Sequence, residues 1–435
     1  MSLSAVVVDL EPDPIAIAAR FEGRTGLALL HAASPHAGPR ASFVAMDPMD
    51  ACSDWLPQLP SKKYAPADTR AAVPQWVGVI PYEAARSLER RTWTRTPDDR
   101  PAPHLVEPRW WRYGAVIEVD PGLGLVRVVG DDASRVRELA RELARGTSRR
   151  RPRGPVRLRP LPDDDPRAHV QRVRRAQELI RAGDLYQVNL ARRQRFAVAA
   201  NPLDLYVAVA GHSPSPFGAC LDLGEIIVCA SSPELFLQLD ALGHVRTAPI
   251  KGTRPRGADA EDDLRLRREL EESSKEQAEL TMILDVERND LGRVAVPGSV
   301  RLAREPAVET HRTVHHRAAV VAALLRPERS ALELLRAMFP SGSVTGAPKI
   351  RAMEVIAELE PARRGLYTGA FGSIAADGSL RLAMAIRVFT VRAGEGHYFA
   401  GGGIVADSDP EAELAETRWK GTQIERLAAE SGNLA

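Results

Sequence analysis

The chain has 435 residues, which is enough for one large or two ordinary domains with a substantial core. Its hydrophobic content of 44% and charged content of 27% are typical of a globular protein. A formal net charge of +2 gives no whole-molecule basis for binding nucleic acid or a membrane surface, so neither is expected as a partner. Three cysteines without a CxxC pair indicate a reducing compartment and argue against a zinc site or a disulfide framework.

The start of the chain lacks the pattern of an export signal. An apolar run over residues 5–8 ends at Asp9. The longest apolar stretches, such as AAVVAALL from Ala318, are too short to span a bilayer. We therefore predict a soluble, cytoplasmic protein without a membrane partner.

The pattern divides the chain into three parts. Residues 1–147 predict mixed strands and short helices: VVVDL, ALLHAA and GAVIEVD are typical of strands, and DDASRVRELARELARG of an amphipathic helix. Residues 148–165 are rich in Arg, Pro and Asp and predict a linker. From 166 to 435 the pattern is more regular, beginning with a helix over about 167–182 that ends at Gly183, a common residue after a helix.

Lys251 stands in the string PIKGTRPRG, residues 249–257, which predicts a glycine-containing turn between two extended segments. A primary amine held there can attack an unsaturated substrate covalently if its neighbours lower its pKa. A lysine beside a glycine is, taken alone, more often a solvated loop residue. The functional interpretation therefore depends on the rest of the chain.

Two predicted helices carry carboxylates on the face that is otherwise apolar. In the first, over roughly residues 272–286, Glu276 and Glu279 share one sector with apolar side chains. In the second, Glu413 and Glu416 share a stripe that becomes apolar one turn later. Because buried unpaired carboxylates are costly, four inward glutamates suit a hard divalent ion such as Mg²⁺. For either helix alone, ordinary surface charge at this spacing is the alternative.

Two glycine-rich segments and one arginine complete the candidate site. FPSGSVTGAPK, residues 339–349, enters a helix and can hold an anion at backbone N–H groups, although it does not match the P-loop pattern. AGGGIV, residues 400–405, allows close approach of the backbone to a ligand. Arg387 is predicted inside an apolar strand, where it needs an acidic partner from the protein or a substrate. These features together favour a small polyanionic substrate, Mg²⁺ and a reactive amine.

Taken in order, strings of this chain resemble those of the chorismate-utilising enzymes. The strings are DLYQVNLARR, SSPELF, PIKGT, KEQAELTMILDVERNDLGR, VHH, FPSGSVTGAPKIRAMEVIAELEP, RGLYTGAFG, IRVFTV and AGGGIVADSDPEAELAETRWK. They cover about residues 166–427. The resemblance implies an α+β fold with two large antiparallel β-sheets packed orthogonally and helices outside. It also implies that residues 1–147 are the N-terminal region of this fold and that residues 166–435 are the chorismate-binding catalytic region.

Two positions sort the chemistry within this family. Members that add water carry a lysine where this chain has Gln187, and anthranilate synthases carry an alanine where it has Lys251. Glutamine and lysine at these positions resemble the aminodeoxychorismate synthase branch, component I. That resemblance implies amination of chorismate to 4-amino-4-deoxychorismate, for para-aminobenzoate and folate or for a related aminated aromatic. The alternatives are an anthranilate synthase component I and a non-catalytic subunit that binds chorismate.

The resemblance also implies roles for individual residues. Lys251 would attack C2 of the chorismate ring as the C4 hydroxyl leaves, Glu234 would act as general acid and base, and His316 would lie near the reacting centre. The implied Mg²⁺ ligands, direct or through water, are Glu276, Glu279, Glu413 and Glu416. The implied substrate-binding residues are Gln187, Gly252, Thr253, Tyr367, Arg387, Gly401, Gly402, Gly403 and Lys420.

The source of ammonia is the remaining component of the predicted reaction. None of the cysteines, Cys52, Cys220 and Cys229, stands in a turn typical of a glutaminase nucleophile. We therefore expect ammonia from a separate glutamine amidotransferase subunit, or free ammonia in its absence.

Overall fold

The computed structural model describes residues 3–33, 41–58, 73–88, 98–145, 154–212, 214–312 and 314–432. Within these ranges the chain forms helices and strands, and the strands combine into two large sheets. The strands, in chain order, are β1 (Ser4–Val7), β2 (Ala28–His31), β3 (Ser42–Ala45), β4 (Asp50–Cys52), β5 (Pro74–Ile80), β6 (Arg109–Arg112), β7 (Val116–Asp120), β8 (Leu125–Gly130), β9 (Arg157–Leu161), β10 (Gln187–Ala199), β11 (Phe217–Asp222), β12 (Ile226–Ser232), β13 (Leu235–Leu239), β14 (His244–Ala248), β15 (Ile250–Pro255), β16 (Arg301–Thr310), β17 (Val314–Leu324), β18 (Gly346–Ala347), β19 (Ala370–Ala375), β20 (Leu380–Met384), β21 (Val388–Arg392) and β22 (Glu395–Ile404).

The helices connect and cover these strands. In chain order they are α1 (Pro14–Ala19), α2 (Ala133–Arg145), α3 (Pro166–Arg181), α4 (Pro202–His212), α5 (Ala260–Glu272), α6 (Ser274–Gly292), α7 (Ala331–Met338), α8 (Gly342–Thr345), α9 (Lys349–Leu359) and α10 (Pro410–Gly432), with a short 3₁₀ helix at Tyr82–Ser87. Among the residues that the structure describes, no helix has both the length and the apolar character needed to cross a membrane.

Both sheets are antiparallel, which confirms the predicted mixed α+β fold with two large antiparallel sheets. Counted over the described residues, the first sheet has twelve strands in the order β1-β8-β7-β3-β2-β11-β12-β21-β22-β10-β18, with β9 beside β10. The second, counted in the same way, has ten in the order β15-β17-β14-β13-β20-β19-β5-β6-β4, with β16 beside β17. Each sheet therefore joins a block of strands from the predicted N-terminal region to a block from later in the chain, through the pairs β2–β11 and β5–β19.

Three apolar clusters hold the layers together. One lies between the sheets and joins Val79 of β5 to Leu221 of β11. The other two cover the remaining faces: α1, α2, α4 and α10 pack on the first sheet, α3 and α9 contact β10 of that sheet, and α6 packs on β15 and β17 of the second. Because successive side chains of a strand point to opposite faces, each sheet buries one face against the other sheet and one against helices.

The predicted linker, residues 148–165, falls partly outside the described residues, which resume at Gly154. Within its described part, β9 pairs with β10 over the register Leu161 with Arg195 to Arg157 with Ala199. This segment therefore extends the first sheet. The predicted helix over 167–182 is observed as α3, with Asp165 capping its first turn through a 2.9 Å hydrogen bond.

Candidate active site

A cavity of about 220 Å³ is lined by strands β10, β15, β17 and β22 and helices α6, α8 and α10. It brings together most of the residues predicted from the sequence to form the site. Those lining it are Glu234, Lys251, Gly252, Thr253, Glu276, Glu279, His316, Tyr367, Arg387, Gly401, Gly402, Gly403, Glu416 and Lys420. Gln187 and Glu413 lie behind this lining, against the glycines of β22.

Lys251 lies within β15 at a bulge, so the prediction of a turn was wrong. The register between β15 and β17 shifts between Lys251 and Thr253. Gly252, inside this shift, has a φ of +72°, a left-handed conformation that favours glycine. An added Cβ there would also lie 2.7 Å from Leu270 Cδ1. The bulge is thus the local feature that presents the Lys251 side chain to the cavity.

The Lys251 amine is buried, with 9% of the residue exposed. Its Nζ atom donates a 2.8 Å hydrogen bond to the backbone carbonyl oxygen of Ser343. Burial lowers the pKa of Lys251, although the carboxylates of Glu279 and Glu234 oppose this. A lowered pKa increases the neutral fraction of the amine, which is the form that can act as a nucleophile.

Glu234 lies between β12 and β13 and is buried. Its Oε1 atom accepts a 2.6 Å hydrogen bond from the hydroxyl of Ser343. Burial raises the pKa of Glu234 to about 7, and the Ser343 hydrogen bond and Lys251 limit the rise. A carboxyl with a pKa near neutrality can both give and take a proton at neutral pH.

His316 on β17 is buried and hydrogen-bonded to Thr253, with 2.8 Å between Nδ1 and the threonine Oγ1. Burial, together with the Arg387 charge, lowers its pKa well below the ordinary value, so the ring is neutral. Its Nε2 atom has no hydrogen-bond partner among the described residues. The hydrogen-bonding capacity of this nitrogen is therefore unused within the described part of the chain.

The glycines of β22 lie where the two acidic stripes meet. A Cβ added to Gly402 would lie 3.0 Å from Oε2 of Glu413 and 3.4 Å from Oε1 of Glu416. One added to Gly403 would lie 3.7 Å from Oε2 of Glu279. Because Gly402 and Gly403 have no side chains, the carboxylates of α6 and α10 can approach the backbone that faces the cavity.

The carboxylates differ in their electrostatic environment. Burial raises the pKa of Glu279 to about 7 and, with the charge of Glu416, also raises the pKa of Glu413. The pKa of Glu416 is lowered, although its partial burial opposes this, because the Lys420 ammonium lies 2.5 Å away. Lys275 approaches Glu279 to 3.9 Å and Glu413 to 3.6 Å. Two inward carboxyls therefore keep raised pKa values, as expected where a further cation is needed.

The donor set of these helices consists of carboxylate oxygens, which fits a hard ion such as Mg²⁺. Within the described parts of the chain, the tightest group of potential metal ligands is elsewhere: His104, Glu395 and His397, with ligand atoms within 4.8 Å of one another. Those two imidazoles stack at 15° with centroids 3.7 Å apart. Near-parallel rings direct their lone pairs along separate planes, so this second group is not arranged to bind one ion.

Gln187, the first residue of β10, is fully buried, and its amide atoms have no hydrogen-bond partner among the described residues. A Cβ on Gly403 would lie only 2.2 Å from its Nε2 atom. The amide thus lies directly behind the cavity-facing backbone of β22. Its position allows it to select what occupies the neighbouring part of the cavity.

Arg387 lines the cavity, but the prediction that it lies inside a strand was wrong. It stands in the short connection between β20 of the second sheet and β21 of the first. Its φ of +50° is not compatible with an extended strand. The chain changes sheets here, and this crossover needs a turn that the apolar sequence around Arg387 does not indicate.

Arg364, which fixes the wall of the cavity, was not predicted from the sequence. It is 2% exposed and donates hydrogen bonds of 2.6 and 2.9 Å to the Glu360 carboxylate. It also donates to the carbonyl oxygens of Asn189 at 2.7 Å and Val344 at 3.0 Å, two residues that line the cavity. The sequence feature that could have indicated Arg364 is its place in the string RGLYTG, three residues before Tyr367, a predicted substrate-binding residue.

Ser343 was also missed, although it lies in the glycine-rich loop that the sequence singled out. That loop forms the four-residue helix α8. The Ser343 hydroxyl contacts Glu234, and the Ser343 carbonyl oxygen contacts Lys251. The sequence had indicated only an anion site at the backbone N–H groups of this loop. The hydroxyl-rich string SGSVTG was the signal for this role.

Comparison with known proteins defines the class to which this fold and site belong. A family model described as chorismate binding enzyme matches residues 23–426, and the chain belongs to this family. It is 40% identical over 379 residues to anthranilate synthase component 1 of Thermus thermophilus, which covers 83% of this chain and 80% of that protein. It is 43% identical over 247 residues to aminodeoxychorismate synthase component 1 of Salmonella typhimurium, which covers 57% of this chain and only 54% of that protein.

A solved structure supports the same grouping. The anthranilate synthase component I from Streptococcus pneumoniae TIGR4 superposes with a TM-score of 0.75 at 27% identity. The superposition covers 88% of this chain and 92% of that one. The similar proteins thus include enzymes named for two different products, so the family is established and the product depends on the site.

Proposed function

We propose that this protein converts chorismate and ammonia to 4-amino-4-deoxychorismate. The supporting observation is the position of Lys251, a buried amine of lowered pKa in the cavity, held by the same residue that contacts Glu234. The family resemblance places an alanine at this position in anthranilate synthases. A lysine positioned in this way adds a nucleophile that anthranilate synthesis does not require.

In the first proposed step, the neutral Lys251 amine attacks C2 of the chorismate ring. The C1–C2 double bond shifts to C1–C6, the C5–C6 double bond shifts to C4–C5, and the C4–O bond breaks. Glu234 gives its proton to the departing hydroxyl, which leaves as water. The products are a lysine adduct, protonated at nitrogen, and a Glu234 carboxylate.

In the second step, ammonia attacks C4, and the two double bonds return to C5–C6 and C1–C2. The bond between C2 and the lysine nitrogen breaks, and Lys251 leaves as a neutral amine. The new C4 ammonium gives a proton to Glu234, which restores the starting enzyme. The sum of the two steps is chorismate plus ammonia to 4-amino-4-deoxychorismate plus water.

The cavity has separate groups for the two substrate carboxylates. Tyr367, Arg387 and the backbone of residues 401–403 would hold the enolpyruvyl carboxylate, and Lys420 the ring carboxylate. Gly252, Thr253 and His316 would line the ring.

The metal set would be Glu279 and Glu416 directly, with Glu276 and Glu413 close by or through water. When bound, Mg²⁺ would neutralise charge at the ring carboxylate. The raised pKa values of Glu279 and Glu413 support a cation at this place.

A separate glutamine amidotransferase subunit is the proposed source of ammonia. Both relatives named above are designated component 1, which supports a multi-component enzyme. We place the reaction in the cytoplasm, in the formation of para-aminobenzoate for folate or of a related aminated aromatic.

Anthranilate synthesis is the second candidate, because the Thermus relative matches 83% of this chain. The two products are separated by incubating the protein with chorismate, Mg²⁺ and ammonium, with and without an added 4-amino-4-deoxychorismate lyase. We expect para-aminobenzoate only when the lyase is present. Anthranilate formed without the lyase would contradict the proposal. Binding of chorismate without turnover would favour the non-catalytic subunit.

A further inference from the structure

We propose that Glu287 shares one proton with Glu234 through the hydroxyl groups of Ser343 and Ser341, and thereby controls when Glu234 can act as an acid. The inference rests on the proposed function in one respect, the role of Glu234 as general acid. Glu287 itself lies on α6 outside the cavity lining, so it acts through Glu234 and does not touch the substrate.

The four side chains form a continuous row of hydrogen-bond distances. The hydroxyl of Ser343 lies 2.6 Å from Oε1 of Glu234 and 3.1 Å from the hydroxyl of Ser341. The Ser341 hydroxyl lies 2.7 Å from Oε1 of Glu287. All four residues are buried, with exposures between 0% and 4%. The row therefore connects two carboxyl groups inside the protein.

This row can carry a proton in either direction without another reactant. Each serine hydroxyl has one hydrogen to donate and lone pairs to accept another. When Glu287 holds the shared proton, Glu287 donates to Ser341, Ser341 to Ser343, and Ser343 to the Glu234 carboxylate. A shift of each hydrogen to its acceptor moves the proton to Glu234 and reverses all three bonds. No bond to carbon or electron transfer is involved.

The environment favours one proton for the two carboxyls near neutral pH. Burial raises the pKa of each glutamate to about 7, and the charge of Glu287 further raises the pKa of Glu234. Lys251 faces Glu234 and lowers its pKa. Lys349 and Asp290 face Glu287, where the lysine lowers the pKa and the aspartate raises it. Lys349 is itself paired with Asp290 at 2.5 Å. Two interacting acids of this kind lose their protons in two steps that belong to the pair.

A purely structural role for Glu287 makes a different prediction. Glu287 also accepts a hydrogen bond from the backbone of Gly342 and so supports α8. The substitution Glu287→Gln keeps the size and an accepting oxygen but cannot exchange a proton. If Glu287 were only structural, any loss of activity would be the same at every pH.

The first test measures lysine adduct formation against pH, without ammonia, in the wild type and in Glu287→Gln. The last proton of the pair is harder to remove than the proton of Glu234 alone, because its loss leaves two facing carboxylates. We therefore expect Glu287→Gln to move the alkaline limb to lower pH by roughly one unit, with a similar maximum rate. The control Glu118→Gln removes a buried carboxyl of β7 that pairs with Arg127, and should leave the limb unchanged. An unshifted limb in Glu287→Gln would overturn the proposal.

The second test uses no substrate, so it is independent of the product that the enzyme makes. Infrared difference spectra across a pH titration report protonated carboxyl groups. We expect Glu287→Gln to remove one titrating group. We expect Ser341→Ala, which breaks the row but keeps both acids, to bring the two titration steps closer together. If Ser341→Ala leaves the two titration steps unchanged, the shared proton is contradicted, whereas the proposed product is unaffected. If the product assay instead gives anthranilate, the proposed function is contradicted, whereas the result of this titration is unaffected.

Discussion

Lys251 and Glu234 are held by one residue: the Lys251 Nζ atom donates to the Ser343 carbonyl oxygen at 2.8 Å, and the Ser343 hydroxyl donates to Glu234 at 2.6 Å. The proposed nucleophile and the proposed acid are therefore positioned against the same short helix, α8. Arg364 binds the next carbonyl oxygen, that of Val344, at 3.0 Å. Attack at C2 and loss of the C4 hydroxyl require two groups in a fixed relation, and this arrangement provides it.

Replacing Lys251 with alanine should abolish the covalent adduct. With chorismate but no ammonia, the wild type should gain the mass of chorismate less one water, because the amine displaces the hydroxyl. We expect no mass gain in Lys251→Ala and a loss of amination of at least about 100-fold, since the nucleophile is removed. Intact-protein mass spectrometry measures the adduct. Lys349→Gln, outside the cavity, should keep it; an adduct retained in Lys251→Ala would exclude Lys251 as its site.

The rate of amination should depend on pH with a bell shape. Lys251 must be neutral to attack, so the rate rises with pH towards its lowered pKa. Glu234 must be protonated to act as an acid, so the rate falls as the pH passes its pKa of about 7. Glu234→Gln should lower the rate by about 100-fold. The fall in rate at alkaline pH should also disappear from the pH–rate profile of this variant. Steady-state rates across the pH range provide the measurement, and an unchanged alkaline limb in this variant would assign it to another group.

Gly403→Ala should lower activity by displacing Gln187, which lies against the cavity-facing backbone at Gly403. The new Cβ would lie 2.2 Å from Nε2 of Gln187, so this fully buried side chain would have to shift within the packed interior. We expect kcat/KM for chorismate to fall about tenfold or more, which is a change of roughly 1.4 kcal/mol. Gly292→Ala is the matched control, because a Cβ at Gly292 meets no atom within 4 Å. Equal activity of the two variants would show that this close approach is unimportant.

Mg²⁺ should stabilise the protein more above neutral pH than below it. The pKa of Glu279 is raised by burial, so its contribution to stability is present below its unfolded-state pKa and is lost as the pH rises through about 7. A cation that binds the ionised carboxylate offsets this loss. We expect saturating Mg²⁺ to raise the melting temperature by a few degrees at about pH 8, and by less at about pH 6.

Glu279→Gln should remove most of this Mg²⁺ effect, because it removes a proposed ligand. Glu178→Gln, an exposed residue of α3 paired with Arg175, should keep it. Thermal unfolding by circular dichroism measures both variants without reference to activity. The same Mg²⁺ shift in Glu279→Gln and in the wild type would remove Glu279 from the metal set.

Arg364→Lys should destabilise the fold strongly. Lysine cannot replace the five hydrogen bonds that the Arg364 guanidinium donates, and the Glu360 carboxylate would remain buried. We expect a loss of about 3–5 kcal/mol in the free energy of unfolding, measured by urea denaturation. Arg265→Lys, in an exposed pair with Asp262, should change it by less than about 0.5 kcal/mol. Comparable effects of the two substitutions would contradict the role given to Arg364.

The local elements of the catalytic region were largely predictable from the sequence. The helix expected over 167–182 is α3, and the helix expected over 272–286 is observed as α6 at Ser274–Gly292. Periodicity reports such helices because their hydrogen bonds are local. The errors at Lys251 and Arg387 have another origin. A bulge depends on the register of β15 against β17, and a sheet crossover depends on the partners of β20 and β21.

The amino-acid sequence establishes which chemical groups are present: a lysine beside a glycine, two acidic helix stripes and the ordered strings shared with the family. Which of these groups touch was decided only by the tertiary structure. Glu234 and Ser343 are 109 residues apart in the chain, and Glu287 and Ser341 are 54 apart, yet their side chains form one row. The pKa values near 7 in that row result from burial between packed layers, which no local pattern encodes.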